Sequence, residues 1–308
     1  MLIEKNFDLT RFTTFRIGGQ AEFFMIVKNR SELVKAAVWA QSKKLPLAIL
    51  AGGSNILIVR KKIKGLVLKI SGQHYVIRKN YLISWAGTSL TKLAKIAAEA
   101  GLAGLEWSFG LPGSAGGAVR GNAGAYGLDM SSVVAEAEAY DLTKNKLIKL
   151  DNQSCGFSYR DSIFKKRKNL LIVGVRLKLT KGAPGPIKAL SQKNFNHRFA
   201  SNPKGPSAGC VFKNLQYKKI IRQNKKLAVD LAAKGLVRGD KISAGYLIDQ
   251  LGFKGKTVGG AKVSEQHANF IINTGQAQAK DVISLINLIK RKVKHKYKIS
   301  LQEEIQYF

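Results

Sequence analysis

A glycine-rich segment at residues 110–127 constrains the fold of this chain more than any other feature. Its sequence, GLPGSAGGAVRGNAGAYG, holds seven glycines. Glycine is needed where φ is positive or where a Cβ would block a close approach of the backbone. A second cluster, Gly52-Gly53-Ser54-Asn55, also follows a predicted strand, and the N–H groups of such turns form a concave nest that suits a diphosphate. Two such clusters favour cofactor-binding loops over the alternative, in which each only makes a tight turn.

Other sequence patterns exclude several common sites. No GxGxxG both follows a strand and opens a helix, as a Rossmann site requires, and the P-loop pattern GxxxxGK[ST] is absent. The four histidines are scattered, and neither Cys155 nor Cys210 has a Cys or His neighbour in the sequence. We therefore expect no metal site. Two cysteines in a long chain also predict a reducing compartment rather than a disulfide framework.

The chain is strongly basic. Its 308 residues include 52 Lys and Arg against 19 Asp and Glu, a formal net charge of +33. Such a charge suits nucleic acid or anionic small ligands. A nucleic-acid surface interleaves aromatic with basic residues, whereas the basic run KRKVKHKYK at 290–298 holds a single tyrosine. We therefore expect no specific nucleic-acid partner and a role of the charge in attracting anionic ligands.

Hydrophobic patterning predicts three α/β domains, at 1–70, 71–200 and 201–308. Hydrophobic residues make up 45% of the chain, which excludes wholesale disorder. No apolar run reaches the about 20 residues that cross a bilayer, and the first ten residues hold an early acid and no signal-peptide core. We therefore expect a cytoplasmic protein without a membrane partner.

Local signals predict the main helices and one linker. The segment 31–44 has helical spacing with Ser31 as N-cap, and 89–101 ends on a glycine suited to a helix end. The segment 279–296 carries an apolar stripe of helical period. Residues 181–206 are rich in Gly, Pro, Lys and Asn, which predicts a linker. The stripe consists of Val282, Leu285, Ile286, Ile289 and Val293.

The glycine clusters and several shorter motifs occur in an order that resembles the UDP-N-acetylenolpyruvoylglucosamine reductases. The motifs that look like the family's flavin-binding loops are FRIGG (15–19), AGGSN (51–55), GLPGSAGG (110–117) and NAGAYG (122–127). The others are SYRDS (158–162), SAGCVFKN (207–214), AGYLID (244–249), VSEQHANF (263–270) and LQEEI (301–305). The match covers nearly the whole chain, and the short segment between Arg160 and Cys210 resembles the family's shorter, second type.

The resemblance implies a fold and an activity. The fold is α+β, of the vanillyl-alcohol-oxidase (PCMH) type. Two α/β subdomains hold FAD without a covalent bond, and a C-terminal domain binds the substrate, its tail 300–308 returning to the active site. NADPH reduces the flavin, and flavin N5 then gives a hydride to the β-carbon of UDP-N-acetylglucosamine-enolpyruvate, which yields UDP-N-acetylmuramate. This is a cytoplasmic step of peptidoglycan precursor synthesis, and the resemblance implies a monomer.

Three residues carry the implied chemistry. Arg160 grips the enolpyruvyl carboxylate, since a guanidinium forms two hydrogen bonds with a carboxylate and keeps its charge. Cys210 stands where many family members carry serine and gives the proton to the α-carbon, because a thiol with a pKa of about 8.5 is a stronger acid than an alcohol. Glu304 stabilises the enol, and it is chosen over Glu303 because the family's acid precedes an aliphatic residue. Outside these motifs, the three would be one basic residue among many, an inert cysteine and an exposed terminal acid.

The resemblance also implies the residues that bind FAD and the sugar nucleotide. Those assigned to FAD are Gly18, Gly19, Gly52, Gly53, Ser54, Asn55, Gly110, Pro112, Gly113, Ser114, Gly116, Gly117, Asn122, Gly124 and Ala125. Those assigned to the UDP-sugar are Tyr159, Lys213, Asn214, Tyr246, Lys254 and Lys262. An oxidase that uses O₂ on a small alcohol is the alternative within this fold. That alternative does not predict Arg160, Cys210 and Glu304 in their motifs, and the chain offers no clear histidine for a covalent flavin.

Overall fold

A computed structural model describes residues 2–308; Met1, where the predicted first domain begins, lies outside them. The strands are β1 Glu4–Asp8, β2 Gln20–Val27, β3 Leu47–Leu50, β4 Ile56–Leu57, β5 Lys62–Ile70, β6 Tyr75–Arg78, β7 Tyr81–Trp85, β8 Leu102–Ala103, β9 Gly124–Ala125, β10 Leu128–Asp129, β11 Val134–Asp141, β12 Lys146–Asp151, β13 Leu170–Lys178, β14 Thr180–Lys181, β15 Leu215–Gln216, β16 Lys241–Ile242, β17 Thr257–Val258, β18 Ala261–Val263, β19 Ile271–Asn273 and β20 Gln306–Tyr307. The helices are α1 Arg30–Ser42, α2 Leu90–Glu99, α3 Ala115–Gly121, α4 Ile163–Lys166, α5 Pro184–Ser201, α6 Tyr217–Gln223, α7 Lys225–Ala233, α8 Ala244–Asp249 and α9 Ala279–Tyr297.

The chain folds into two compact units. Unit 1 comprises the residues up to Asp8, Gln20–Gly52 and Lys62–Ala200, and unit 2 comprises Leu9–Gly19, Gly53–Lys61 and Ser201–Phe308. Two short segments from the first part of the chain therefore belong to the unit that holds the C-terminal third. The predicted division of the first 200 residues at residue 70 stays a prediction.

Unit 1 is built on two sheets. A four-stranded sheet has the order β1-β2-β5-β3, with β2, β5 and β3 parallel and β1 antiparallel at its edge. A five-stranded antiparallel sheet has the order β12-β11-β13-β7-β6. Helix α1 buries Leu33, Ala36 and Ala40 in a core that holds residues from both sheets. Helices α2 and α3 cover the second sheet and contribute to a separate core. The predicted α+β class is confirmed.

Unit 2 is organised around α9. The five residues of its predicted apolar stripe are all buried, in a core that also takes Phe15, Ile17 and Leu57 from the N-terminal segments. Strand β20 pairs with β4 in parallel, with Gln306 opposite Ile56 and Tyr307 opposite Leu57. The last residues of the chain are thereby fixed beside a segment from its first fifth. Within residues 2–308, the helices lack the combination of length and apolar character needed to cross a membrane.

The structure corrects two local predictions. The linker predicted at 181–206 is wrong, because most of this segment forms the 18-residue helix α5. Pro184 and Pro186 occupy the first turn of α5, where the missing N–H groups would have no helical partner. The predicted N-cap Ser31 is also wrong. Helix α1 begins at Arg30, and the Asn29 side chain accepts a hydrogen bond from Glu32 N at 3.0 Å.

Candidate active site

Two glycine loops of unit 1 pack backbone against backbone. A Cβ on Gly52 would lie 2.6 Å from Gly113 Cα, and one on Gly116 would lie 2.8 Å from Ala86 Cβ. Ser114 caps α3, since its Oγ accepts a hydrogen bond from Gly117 N at 3.3 Å. At Gly52 and Gly116 the need for glycine therefore comes from the protein's own packing.

Gly117 differs from these glycines. A Cβ at this position would lie 3.5 Å from Ala51 Cβ and 3.5 Å from Ser114 Oγ, which are ordinary contact distances, and its φ is not positive. The protein packing around residue 117 therefore accepts a methyl group. A glycine here fits a cradle in which a bound group, rather than the chain, approaches the backbone.

Lys69, which the sequence analysis missed, lies beside the same loops. It lies between Leu68 and Ile70 in the apolar half of β5, and its Nζ donates a hydrogen bond to the carbonyl oxygen of Ala51, the residue before Gly52. Burial lowers the pKa of its ammonium group to about 8. A lysine inside an apolar strand was the signal that could have identified it.

Arg160 lies against the second part of the glycine-rich segment. Its Nη2 donates a hydrogen bond to Gly124 O at 2.7 Å, and Nη1 lies 3.5 Å from Asn122 O. The guanidinium also lies over the Tyr159 ring, 5.3 Å from its centroid. The structure therefore brings two predicted site residues, Arg160 and Tyr159, to the predicted flavin segment. Ala125 lies in the same segment, where β9 pairs with β10.

The backbone of Arg160 is left-handed, with φ of 56°. It sits in a tight turn in which Ser158 and Asp161 exchange hydrogen bonds at 3.0 and 3.1 Å. Such a conformation costs a non-glycine residue about 1–3 kcal/mol and persists when its surroundings enforce it. Lys165 Nζ, bonded to Arg160 O at 2.6 Å, is one such restraint. The turn fixes the direction in which the arginine side chain leaves the backbone.

Asn122 has a structural role in unit 1. It adopts φ of 42° at the end of α3 and is almost fully buried. Its amide donates hydrogen bonds to Ser158 O at 3.0 Å and Asp129 Oδ2 at 3.1 Å, and it accepts one from Ser131 N at 3.0 Å. The side chain therefore ties the flavin segment to the turn that carries Arg160.

Helix α5 holds the glycine-rich segment from another side. Arg198 donates hydrogen bonds to Trp107 O at 2.9 Å and to Phe109 O, and Asn194 Nδ2 donates one to Glu106 O at 3.2 Å. A Cβ on Gly110 would lie 2.5 Å from the Phe195 ring. Pro112 lies two residues further along the same segment. These helix residues are not recognisable in the sequence, because the Gly and Pro content of their segment predicts a linker.

In unit 2, the predicted flavin glycines are required by close packing. A Cβ would collide with Thr10 if placed on Gly18, with Arg60 O if placed on Gly19, and with Phe12 O if placed on Gly53. Gly19 and Gly53 therefore allow the two N-terminal segments of unit 2 to pack closely against each other, and Gly18 allows close packing within the first of them.

Ser54 and Asn55 follow Gly53, and Asn55 contacts the C-terminal tail. Asn55 Nδ2 donates a hydrogen bond to Glu304 O at 3.2 Å, and Gln306 N donates one to Asn55 O at 2.9 Å. A predicted flavin residue and a predicted catalytic acid are thus neighbours within unit 2.

Cys210 and Glu304 lie on neighbouring segments. Glu304 N donates a hydrogen bond to Val211 O at 2.7 Å, and Lys213 N donates one to Gln302 O at 2.8 Å. The segment after Cys210 therefore runs antiparallel to the tail. Both Cys210 and Glu304 are partly exposed, and Cys210 forms no disulfide with Cys155, the other described cysteine.

Asn269, also missed from the sequence, fixes the Cys210 segment. Its buried side chain accepts a hydrogen bond from Phe212 N at 2.9 Å and donates one to Phe212 O at 2.8 Å. This two-point contact adds to the antiparallel backbone bridge between Cys210 and Phe270. The signal was its position in the motif at 263–270, which the sequence analysis noted without giving Asn269 a role.

Glu303 and Glu304 have different surroundings. Glu303 Oε1 forms an ion pair with Lys290 Nζ of α9 at 2.7 Å. Burial, together with a hydrogen bond to the Glu303 carboxylate, raises the pKa of Tyr307. The Glu303 side chain thus links α9 to the end of the tail at Tyr307.

Most of the predicted sugar-nucleotide residues already have polar partners in unit 2. Lys254 pairs with Asp249 at 2.9 Å, and Lys262 pairs with Glu265 at 2.5 Å. Asn214 is exposed, and its Oδ1 accepts a hydrogen bond from Ala244 N at 3.3 Å. Tyr246 is half-buried in α8.

His267 lies close to this group. A Cβ on Gly245 of α8 would lie 3.1 Å from the His267 ring, and Asn269 N donates to His267 Nδ1 at 3.2 Å. Burial lowers its pKa, and the charge of Lys254 acts in the same direction. His267 therefore lies beside α8, together with Asn214 and the Lys254–Asp249 ion pair. The sequence gives no signal for this arrangement. The described residues hold no cluster of three or more His, Cys, Asp or Glu suited to a metal ion.

Comparisons with known proteins place this geometry in a family. The model for "FAD binding domain" matches residues 21–151, and that for "UDP-N-acetylenolpyruvoylglucosamine reductase, C-terminal domain" matches 201–308. The chain is 36% identical to the UDP-N-acetylenolpyruvoylglucosamine reductase of Caldanaerobacter subterraneus, over 98% of this chain and 92% of that protein. It is 34% identical to the enzyme of the same name from Acaryochloris marina, over 99% and 92%. The crystal structure of the reductase from Thermus caldophilus superimposes with a TM-score of 0.77 at 31% identity, covering 100% of this chain and 99% of that one.

Proposed function

The chain belongs to the UDP-N-acetylenolpyruvoylglucosamine reductase family, and we propose that it uses NADPH to reduce the enolpyruvyl ether of UDP-N-acetylglucosamine-enolpyruvate to UDP-N-acetylmuramate. Family membership makes it an FAD-dependent oxidoreductase of peptidoglycan synthesis and confirms the predicted flavin-binding fold. The finer parts of the proposal are the electron donor, the roles of individual residues, the cytoplasmic location and the monomeric state. The single observation that best supports the site is the open position at Gly117 between two glycine loops in tight contact.

FAD fits the loops of unit 1. Gly52 and Gly113 bring two loops together, and a Cβ at Gly117 would make only ordinary contacts with the protein, which supports the assignment of this glycine to the cofactor. The backbone N–H groups of these loops suit the cofactor's diphosphate. When bound, FAD supplies a carrier that accepts a hydride from NADPH and passes it to the substrate. The part of this chain is to bind the cofactor, to orient the enolpyruvyl group, and to handle charge and protons at the substrate.

We assign Arg160 to the enolpyruvyl carboxylate. Hydride addition at the β-carbon leaves negative charge on the α-carbon, and this charge spreads into the carboxylate. A guanidinium has five N–H donors and can bind a carboxylate through two of them. The hydrogen bond to Gly124 O and the strained turn at Arg160 fix the plane and direction of this group before substrate binds. Preorganised donors of this kind stabilise developing charge without reorganising during the reaction.

We assign the proton transfer to Cys210 and the stabilisation of the enol to Glu304. The Cys210 thiol gives its proton to the α-carbon, which completes the reduction and leaves a thiolate that solvent reprotonates. Three contacts support this pairing: the bond from Glu304 N to Val211 O and the two bonds between Asn269 and Phe212. They hold the backbone on either side of the reacting groups, so that a loss of Cys210 or Glu304 removes chemistry rather than structure.

We assign the UDP part of the substrate to Lys213, Asn214, Tyr246, Lys254 and Lys262. The supporting observation is that three of them lie in or next to α8: Asn214 accepts a hydrogen bond from Ala244 N, Tyr246 belongs to the helix, and Lys254 pairs with Asp249 at its end. Lysines act on diphosphates as point charges. Tyr159, which lies under the Arg160 guanidinium, is assigned to the same substrate.

The test follows the two half-reactions separately by stopped-flow absorbance of the flavin in the holoenzyme. We expect Cys210→Ala to retain FAD and its reduction by NADPH, and to lose flavin reoxidation by the enolpyruvyl substrate. Cys210→Ser should keep substantial reoxidation and should resist thiol alkylation. Cys155→Ala is the matched control, because Cys155 is buried and its pKa is raised to about 11, mainly by burial. Reoxidation of Cys210→Ala at the wild-type rate would remove Cys210 from the mechanism.

Arg160→Ala provides an independent arm. We expect normal reduction by NADPH and a loss on the order of 10²–10³ in reoxidation. Arg160→Lys should restore little, because the planar fork of the guanidinium is absent. Equal damage to both half-reactions would show that Arg160 serves the flavin or the fold instead.

A further inference from the structure

Two segments of unit 2 carry cations without any acidic residue. Residues 217–226 contain Lys218, Lys219, Arg222, Lys225 and Lys226. Residues 290–298 contain Lys290, Arg291, Lys292, Lys294, Lys296 and Lys298. None of the residues assigned above to the cofactor, the substrate or the chemistry lies in either segment.

The structure joins these two segments. Asn224, which caps α7 at its junction with α6, donates a hydrogen bond from its side chain to Tyr297 O at 3.0 Å. Lys234, just after α7, is close enough to Tyr297 to lower the pKa of that phenol, although burial has the larger and opposite effect. The end of α9 therefore lies against α6 and α7, and we call the surface formed by residues 217–229 and 290–298 the basic surface.

Most cations of the basic surface have no carboxylate partner. Lys290 pairs with Glu303, whereas the other ten have no ion pair with any residue in the described part of the chain. Nine of these ten are exposed, and Lys219 is half-buried. Ten uncompensated charges on one side of a unit produce a potential that attracts a polyanion.

Exposed aliphatic side chains stand among these cations. Ile221 is 42% exposed and Val229 is 61% exposed. Lys218 lies one helical turn before Ile221, and Lys225 and Lys226 lie one turn before Val229. The tyrosines of the two segments, Tyr217 and Tyr297, are instead partly buried.

We propose that the basic surface binds the anionic headgroups of a lipid bilayer. Lysine ammonium groups are attracted to anionic headgroups, and aliphatic side chains beside them can enter the boundary between headgroups and acyl chains. A surface for single-stranded nucleic acid would instead offer exposed aromatic rings for base stacking. The proposal revises the expectation that the protein has no membrane partner. It does not depend on the catalytic assignments, because none of these residues belongs to them.

The test is flotation of the holoenzyme with vesicles of equal parts phosphatidylglycerol and phosphatidylcholine, at low and high salt. We expect binding at low salt that weakens as salt rises and that is absent with phosphatidylcholine alone. The triple variant K218Q/K225Q/K226Q should bind about 100-fold more weakly, since each lysine near an anionic surface is worth roughly five-fold in affinity. The matched control is K144Q/K146Q/K168Q, which removes the same charge from exposed positions of unit 1 and should lose less than about five-fold.

The double variant I221S/V229S separates a bilayer from a nucleic acid. We expect it to lower vesicle binding on the order of 10-fold and to leave binding of a polyuridine RNA unchanged. Flavin content and circular dichroism of each variant check that it is folded. Equal vesicle binding by the basic-surface and control triple variants would overturn the proposal. So would tighter binding of RNA than of vesicles together with no effect of I221S/V229S, which would instead assign the surface to nucleic acid.

Discussion

Replacing Gly117 with alanine tests whether a cofactor lies against the glycine loops. The added methyl group would lie 3.5 Å from Ala51 Cβ and 3.5 Å from Ser114 Oγ, so the protein accommodates it without rearrangement. Gly117 lies within α3 at a φ that alanine adopts freely. Removing a glycine from a helix stabilises it by up to about 0.5–1 kcal/mol. We therefore expect the flavin-free protein to become slightly more stable, with a gain of about 2–4 °C per kcal/mol for a unit of this size.

The same methyl group should weaken FAD binding. If the cofactor contacts the backbone at residue 117, the methyl group occupies space that the cofactor needs. Inserting a methyl group into a filled contact costs about 1–3 kcal/mol, which is roughly 5- to 150-fold in Kd. Gly117→Ala should therefore raise the stability of the flavin-free protein while it lowers the affinity for FAD. A purely structural role of Gly117 would move both quantities in the same direction.

The assay combines urea unfolding of the flavin-stripped protein with titration by FAD, followed through quenching of flavin fluorescence. Gly121→Ala is the matched control, because a Cβ there meets no atom within 4 Å and lies in the same helix. Gly116→Ala is the steric control and should damage both quantities. Gly53→Val is a poor test, because its side chain would collide with Phe12 O whether or not FAD binds. FAD affinity of Gly117→Ala equal to that of Gly121→Ala would refute the placement of the cofactor.

Three further predictions concern residues around the site. Lys69→Met should stabilise the flavin-free protein at pH 7 by on the order of 3 kcal/mol. Its free energy of unfolding should also change less with pH than that of the wild type between about pH 8 and pH 10.5. The reason is that burial lowers the pKa of Lys69 in the folded state from 10.5 to about 8. Between these values the unfolded chain binds more protons, so the free energy of unfolding of the wild type rises with pH. Urea unfolding at several pH values checks this, and identical pH profiles of the two proteins would contradict it. Arg198→Ala should lower the free energy of unfolding by about 2–3 kcal/mol in urea unfolding, because two carbonyls just before the glycine-rich segment lose a charged donor. The variant should also retain less flavin. Unchanged flavin retention would show that α5 does not support the site. Glu303→Gln should lower the free energy of unfolding by under about 1 kcal/mol, since it removes a partly exposed ion pair. It should also lower the pKa of Tyr307 in an ultraviolet titration, while flavin reoxidation by the substrate persists. A Glu303→Gln variant as inactive as Glu304→Gln would reverse the assignment of the two acids.

The sequence predicts those elements whose signals are local. The apolar stripe of α9 and the capped amphipathic helix α2 can be read from spacing within a single segment, and both are present. Helix α5 was missed because Gly and Pro open it and because it buries little apolar surface, with Ile187 and Ser191 as its buried residues. Its stability comes from polar contacts of Arg198 and Asn194 with a segment nearly 90 residues away. A pattern of apolar residues within the helix does not record such contacts.

The glycines show a second limit of the sequence. All the predicted flavin loops are rich in glycine, yet a glycine demanded by a neighbouring backbone and one demanded by a cofactor look identical in sequence. The structure separates them by the atoms that a Cβ would meet. A Cβ on Gly19 or Gly53 would collide with backbone that is distant in the sequence, whereas a Cβ on Gly117 would make only ordinary contacts, at 3.5 Å. Nearly all of the assigned glycines described in this way are explained by packing. The case for a cofactor cradle therefore depends on one position more than on the number of glycines.

The two adjacent glutamates of the tail show the same limit for catalytic residues. In sequence, Glu303 and Glu304 differ only in their neighbouring residues, and a family pattern was needed to choose between them. In the structure, the choice rests on partners that lie far apart in the chain. Glu303 is held by Lys290 of α9, while the backbone of Glu304 is bonded to Val211 and to Asn55, 249 residues away. The Glu303 side chain and the Glu304 backbone therefore fix the tail to different parts of unit 2. The two acids thus have different surroundings, which depend on residues far away in the sequence, and exchanging their roles by mutation should fail.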